Sequence, residues 1–496
     1  MSVRRLLPAL AAGLAPAPAC AHAVGERYDL PLPVELYILG GALTVALSFA
    51  VVALVVRTHR AAPSAYPPHS VRGLTRPLRI ASAALQAIGL ALFVLAIAAG
   101  LLGEQHPARN LATTLVWIVW WIGLAFVAAF VVDPWPHLNP WRTIARLAAP
   151  VAARLGLARA PRRYPRRWQH WPAVILLLAF VWFELVYPSP SHPRSIAVAA
   201  LAYSLVTLAG MAVFGRETWL RHGEAFTVFF ATLGRFAPIR WQGGGLRFGL
   251  WGAGLARPKP LAASMVAFIL LMLAAVLFDG FLGTGLWRMI ERSVRSLLPY
   301  GADPDSVLAA TLALAGLWLA FVAAYDLAAW AMARAAGGGA GSRAIAGRFA
   351  LSLVPIGVGY NLAHNLSYLM VQGQAIAALL SDPFGAGWNL FGTAHWQPEI
   401  GVIDAGAVWI VALFAIVGGH LVSVYLAHLA ALQLFARRGA ALRALVPMTI
   451  LMVLYTGVSL TVIAEPLVRF RKPDPSYTGH APPPSLAAVV DRGAKP

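Results

Sequence analysis

Residues 359–404 read GYNLAHNLSYLMVQGQAIAALLSDPFGAGWNLFGTAHWQPEIGVID. The first part lies inside an apolar run long enough to cross a bilayer, which takes about 20 residues as a helix. That run nevertheless carries Asn361, His364 and Asn365. Positions i, i+3 and i+4 share one face of a helix. A polar stripe in lipid is costly, so it is expected to face the protein interior or a water-filled cavity. A loop without lysine or arginine follows, carrying Asp382, Asn389, His395, Glu399 and Asp404. Folded back over the helix end, that loop would bring imidazoles and carboxylates together. The competing reading is that these groups only bond neighbouring helices, as buried amides do.

Composition sets the class. Of 496 residues, 59% are hydrophobic and 12% charged, which is the make-up of a polytopic membrane protein and not of a soluble domain. The expected fold is an all-α transmembrane bundle. The formal charge of +20 does not point to nucleic acid, because the basic residues sit in short loops between apolar runs, where they set topology. The bilayer is the implied partner. A single cysteine, Cys20, leaves no disulfide framework and no cysteine metal cluster. The sequence leaves the oligomeric state open.

Residues 1–21 have a basic start at Arg4 and Arg5, a short apolar region and small residues at Ala19 and Ala21. They read as a cleaved secretory signal peptide. Cleavage after Ala21 would make His22 the N-terminus, where amine and ring nitrogen suit copper; an incidental histidine is the plainer reading. Ten spans follow, at 34–56, 78–102, 111–132, 171–187, 196–214, 261–283, 307–332, 349–373, 405–434 and 444–464. Spans four and five are short. The loops expected inside (57–77, 133–170, 215–260, 333–348 and 435–443) are rich in arginine. Those expected outside (103–110, 188–195, 284–306 and 374–404) are poor in it, Arg288, Arg292 and Arg295 excepted. This alternation places both mature ends outside an inner bacterial membrane. Arg469, Arg471 and Lys472 in the tail run against it.

Two regions are expected, 22–333 and 344–465, joined by the glycine-rich segment 334–343, with a disordered tail at 466–496. Trp135, Trp141, Trp168 and Trp171 among arginines suit a headgroup interface. Residues 217–236 are expected to form an amphipathic helix on the inner surface, with Glu217 and Arg221 spaced for an ion pair. No repeat, Walker loop or dinucleotide glycine signature occurs.

Ionisable residues inside a membrane are functional candidates. They are Glu184, Asp279, Asp326, His364, His420, His428 and Glu465. Glu184, Asp279 and His364 fall in the outer half of their spans, near His395, Glu399 and Asp404. The set expected to carry chemistry has His364, His395 and His420 as ligands of a divalent metal ion and Glu399, Asp404 and His395 as catalytic groups. Asn361, Asn365, Glu184 and Asp279 contact substrate. A metal-bound water becomes a nucleophile near neutral pH, and a carboxylate serves as base. Two other uses stay open: haem held between His364 and His420, and a proton or ion path through Asp326 and the histidines, as in a transporter.

Six segments carry a resemblance: YDLPLP (28–33), WPHLNPWR (135–142), WFELVYP (182–188), GRFAPI (234–239), VLFDG (276–280) and GYNLAHNLSYL (359–369). Together they resemble a bacterial family of polytopic membrane proteins, one type of which is named fenitrothion hydrolase. The resemblance covers most of the chain. It implies hydrolysis of an organophosphorus triester with release of a substituted nitrophenol, and so a lipophilic small-molecule substrate. It transfers no catalytic residue by position.

Overall fold

The computed structural model describes residues 31–56, 75–156, 160–242, 245–256, 259–299, 302–338 and 340–467. The expected signal peptide, His22 and the tail beyond Leu467 lie outside the described residues. In lipid a backbone must bond to itself, and a helix does so within one segment. The apolar runs accordingly form a helical bundle: α1 Val34–Val55, α2 Thr75–Leu102, α3 Leu111–Phe130, α4 Pro140–Arg154, α5 Trp171–Leu185, α6 Pro193–Phe214, α7 Arg216–His222, α8 Ala225–Leu233, α9 Ala263–Leu282, α10 Gly285–Ser296, α11 Val307–Ala335, α12 Ser342–Phe349, α13 Val354–Gln372, α14 Ala405–Leu434 and α15 Arg438–Leu467. One short antiparallel hairpin, Ile239–Gln242 with Gly245–Phe248, follows α8.

Among the described residues nine helices are long and apolar enough to cross a membrane, where ten were expected. The difference is α5. Its 15 residues rise about 22 Å, short of a hydrocarbon core of about 30 Å.

Backbone contacts sort the helix ends into two sets. At one end Glu104 N–H donates to Phe384 O (2.8 Å), Thr113 Oγ1 to Ser191 O (3.0 Å) and Arg194 N–H to Gln105 Oε1 (3.1 Å). At the other, Arg438 donates to Ala53 O (2.6 Å), Arg443 to Ala335 O (3.2 Å) and Leu261 N–H to Gly347 O (2.8 Å). The loops poor in arginine meet one another, and so do the arginine-rich ones. One core holds residues from both sequence regions, Val45 and Phe268 with Val354 and Met452.

Three local expectations are corrected. Residues 217–236 do not form one surface helix. They divide into α7 and α8, and α8 buries Phe226, Phe229, Phe230 and Leu233. AFTVFFATL is apolar on every side, and such a helix goes to the interior. Trp135 and Trp141 are also buried, Trp141 donating to Ser204 Oγ at 2.8 Å; only Trp168 and Trp171 stay exposed. Glu217 pairs with Arg142 and Arg216, each at 3.1 Å, and not with Arg221.

Helices α13 and α14 are antiparallel and nearly in backbone contact. A Cβ on Gly359 would run into Ala415 O, and one on Gly419 would lie 2.5 Å from Pro355 O. This pairing fixes the register. A step along one helix is a step back along the other, so His364 lies level with Ile410, ten residues from His420.

Candidate functional site

The VLFDG segment ends α9 with Asp279 followed by Gly280. A Cβ on Gly280 would strike Tyr360 Oη and lie 2.9 Å from Val462 Cγ1, so glycine there lets α13 approach. One turn beyond Tyr360 stands His364, and one turn further Tyr368, all on one face of α13. The Tyr360 and His364 rings stack at 6.2 Å. His364 Nε2 meets Asp279 Oδ2 at 2.9 Å; the imidazole is 5% exposed and the carboxylate 29%. Gly280→Ala is therefore expected to move Tyr360 off its seat and loosen the His364–Asp279 contact. A lowered melting temperature with impaired function checks this, whereas Gly316→Ala, into open space, should change neither.

The second acid comes from α5. Glu184 is half-buried and lies within electrostatic reach of Asp279 and close to the Trp121 side chain. Trp121 sits in a stretch of π-helix, Thr114–Gly123, inside α3. Such wide turns occur often at functional sites. Tyr368 feels both carboxylates. Helices α3, α5, α9 and α13 thus bring Glu184, Asp279, His364, Tyr368 and Trp121 together near the arginine-poor end. A bonded carboxylate and imidazole with a second carboxylate within electrostatic reach can hold and pass protons, and a carboxylate bonded to an imidazole is a positioned base.

Asn361 points elsewhere. Its buried Oδ1 has no protein partner and lines a cavity of about 30 Å³ with Val276, Leu273 and Phe229. That is room for about one or two waters. Asn365 is half-buried on the same helix.

The expected loop and metal residues do not join this cluster as a set. His395, Glu399 and Asp404 are exposed. Asp404 caps α14, its Oδ1 accepting from Ala407 N–H at 2.8 Å, and Glu399 is held through its main chain by Gln374 (3.0 and 3.1 Å). His420 is buried, its Nδ1 2.8 Å from Ile416 O. Ten residues of helix put it about 15 Å along the axis from His364, too far to share a haem or a metal ion. Among the described residues no group of three or more His, Cys, Asp or Glu side chains is placed to hold a metal ion.

A second polar assembly lies at the arginine-rich end. Glu224 is fully buried. It accepts from Tyr203 Oη (2.6 Å), Asn139 Nδ2 (3.2 Å), Trp135 Nε1 (3.5 Å), Thr227 Oγ1, and the N–H groups of Phe226 (2.9 Å) and Thr227 (2.8 Å). Its signal in the sequence is an acid just before an apolar run, the N-cap position. Nearby, burial pushes the Asp133 carboxyl up to about 7, against the opposing pull of the Trp135 N–H and the Arg240 charge. Between about 4 and 7 the folded chain holds a proton that the unfolded chain has released, so this contribution to stability declines as pH rises. His170 has the opposite sign: burial, with His222 and Arg235, lowers it to about 4. Its neutral form favours the fold above about 6.5, and that contribution is lost on acidification. Asp133→Asn is therefore expected to melt with the wild type near pH 4 and above it beyond pH 7. Melting curves of both across that range check the sign.

No family model, curated protein or solved structure matches the chain.

Proposed function

We propose that this chain is a membrane-embedded hydrolase of organophosphorus triesters, with its site at Asp279, His364 and Glu184. The observation that carries the reading is the 2.9 Å His364–Asp279 pair with a second carboxylate beside it, set within a bundle of apolar helices. The substrate class rests on the six resembling segments. Asp279 is the more exposed partner and the one that water reaches. It takes a proton from that water as the water oxygen bonds to phosphorus. The bond from phosphorus to the aryl oxygen breaks, and nitrophenolate departs. His364 is a positioning residue, donating Nε2–H to the carboxylate. Glu184, beside Asp279, receives the proton and returns it to bulk water. Nitrophenolate is a good leaving group, so little acid assistance is needed. A lipophilic triester partitions into the bilayer and approaches from between the helices. The arginine distribution supports an inner bacterial membrane with this site outside.

A second reading is proton-coupled transport. It is favoured by the chain of titratable groups running from α5 through α9 to α13, since intramembrane carboxylates and histidines form proton relays. Purified protein in sealed vesicles separates the two. The hydrolase releases nitrophenol from fenitrothion with or without a pH gradient, and the release saturates with substrate. A transporter moves solute only with the gradient and forms no product. Absence of product from folded protein overturns the first reading. A chelator arm on the same sample tests the expected divalent ion.

A further inference from the structure

The first half of the loop at 382–404 is built inside out. Over 381–394 its polar side chains bond the backbone, while His395, Glu399 and Asp404 further on stay exposed. Asp382 accepts from the N–H groups of Ala386 (2.9 Å) and Gly387 (2.7 Å), and buried Ser381 Oγ accepts from Phe391 N–H (2.9 Å). Asn389 Oδ1 accepts from Ala394 N–H (3.0 Å) and Thr393 Oγ1 donates to Ala377 O (2.6 Å). The large apolar side chains point out: Trp388, Leu390, Trp396 and Ile400 are exposed, and Phe391 is 70% exposed. A loop in water has the reverse arrangement, and exposed apolar patches of this kind mark contact surfaces.

The occupant follows from position and charge. The loop joins α13 to α14, both long enough to span a membrane, so its apolar surface continues the lipid-facing surface of the bundle. Tryptophan is the residue of the membrane–water boundary. No lysine or arginine occurs between Arg348 and Arg437, so the loop offers an anionic headgroup no permanent positive charge. We infer that the 382–404 loop seats Trp388, Leu390, Phe391, Trp396 and Ile400 in the lipid leaflet at the arginine-poor end, through apolar contact alone. The inference does not depend on the hydrolase reading.

The test is a fluorophore placed at Phe391. In a Cys20→Ser background, Phe391→Cys carries an environment-sensitive dye, and Ala108→Cys, exposed at the same end, is the water-facing reference. The protein is reconstituted in phosphatidylcholine vesicles with or without phosphatidylglycerol. The dye at 391 should emit to the blue of the reference and be quenched by lipids with a nitroxide high on the acyl chain. Aqueous iodide should quench it several-fold less than the reference. Neither salt nor phosphatidylglycerol should change these values. Iodide quenching equal to the reference overturns the inference. Protection from iodide without nitroxide quenching also overturns it, and assigns the surface to a second copy of the chain. Phe391 lies on the surface, so the substitution leaves folding intact; the elution profile verifies this.

Discussion

Glu224→Ala is expected to be the most destabilising single substitution in this chain, lowering stability by about 4 kcal/mol or preventing accumulation of folded protein. The reason is the number of groups that depend on one carboxylate. Tyr203, Asn139, Trp135 and Thr227 donate to it through their side chains, and the first turn of α8 through its backbone. Each buried donor left without a partner costs about 1–3 kcal/mol, and loss of the cap alone costs about 0.5–2 kcal/mol. These groups tie α6, α8 and the turn before α4 together, so their losses are coupled. Glu224→Gln keeps one acceptor oxygen but turns an amide NH₂ toward donors, and should fall between alanine and wild type. Glu217→Ala removes only exposed ion pairs and should cost about 0–1 kcal/mol. Melting of detergent-solubilised protein, followed by tryptophan emission, ranks the three. If the 217 and 224 alanine variants melt together, the assembly is not a structural keystone.

Asp279→Asn is expected to have the largest effect on activity. Removing a positioned general base lowers turnover by roughly 10²- to 10⁴-fold. Asparagine keeps the shape and an acceptor for His364 Nε2, so the melting temperature should change little. Asp279→Ala removes the acceptor as well and should lose both stability and activity. His364→Gln still donates to the carboxylate, and as a positioning residue it should lower turnover less than Asp279→Asn, chiefly in kcat and not in KM. Its pH profile should keep the acid limb.

The class of fold was legible because length and hydropathy suffice to mark helices in lipid. Glu184, Asp279 and His364 were legible as embedded ionisable groups at a common depth. Their pairing was not, because it depends on how closely α9 and α13 approach at Gly280, and no spacing along the chain encodes that. The loop at 374–404 misled for a related reason. Histidine and carboxylates lie near one another in sequence there, but irregular backbone gives no period from which side-chain direction can be read. Asp404 alone carried a usable signal, an acid directly before an apolar helix, and it is a cap. His420 stands out as a mid-span histidine; its Nδ1 bonds the carbonyl one turn back, and its buried Nε2 has no partner among the described residues. For α8 the period misleads: 217–236 suggests one amphipathic helix, but an apolar block follows a polar one and the segment divides in two.

The measurement that tests the central claim most directly is nitrophenol release from fenitrothion by wild type, Asp279→Asn and His395→Ala, with equal amounts of folded protein in nanodiscs. The embedded cluster predicts that Asp279→Asn loses release by roughly 10²-fold or more while His395→Ala retains it. Loss in His395→Ala with full release by Asp279→Asn would contradict the account and return the chemistry to the exposed loop.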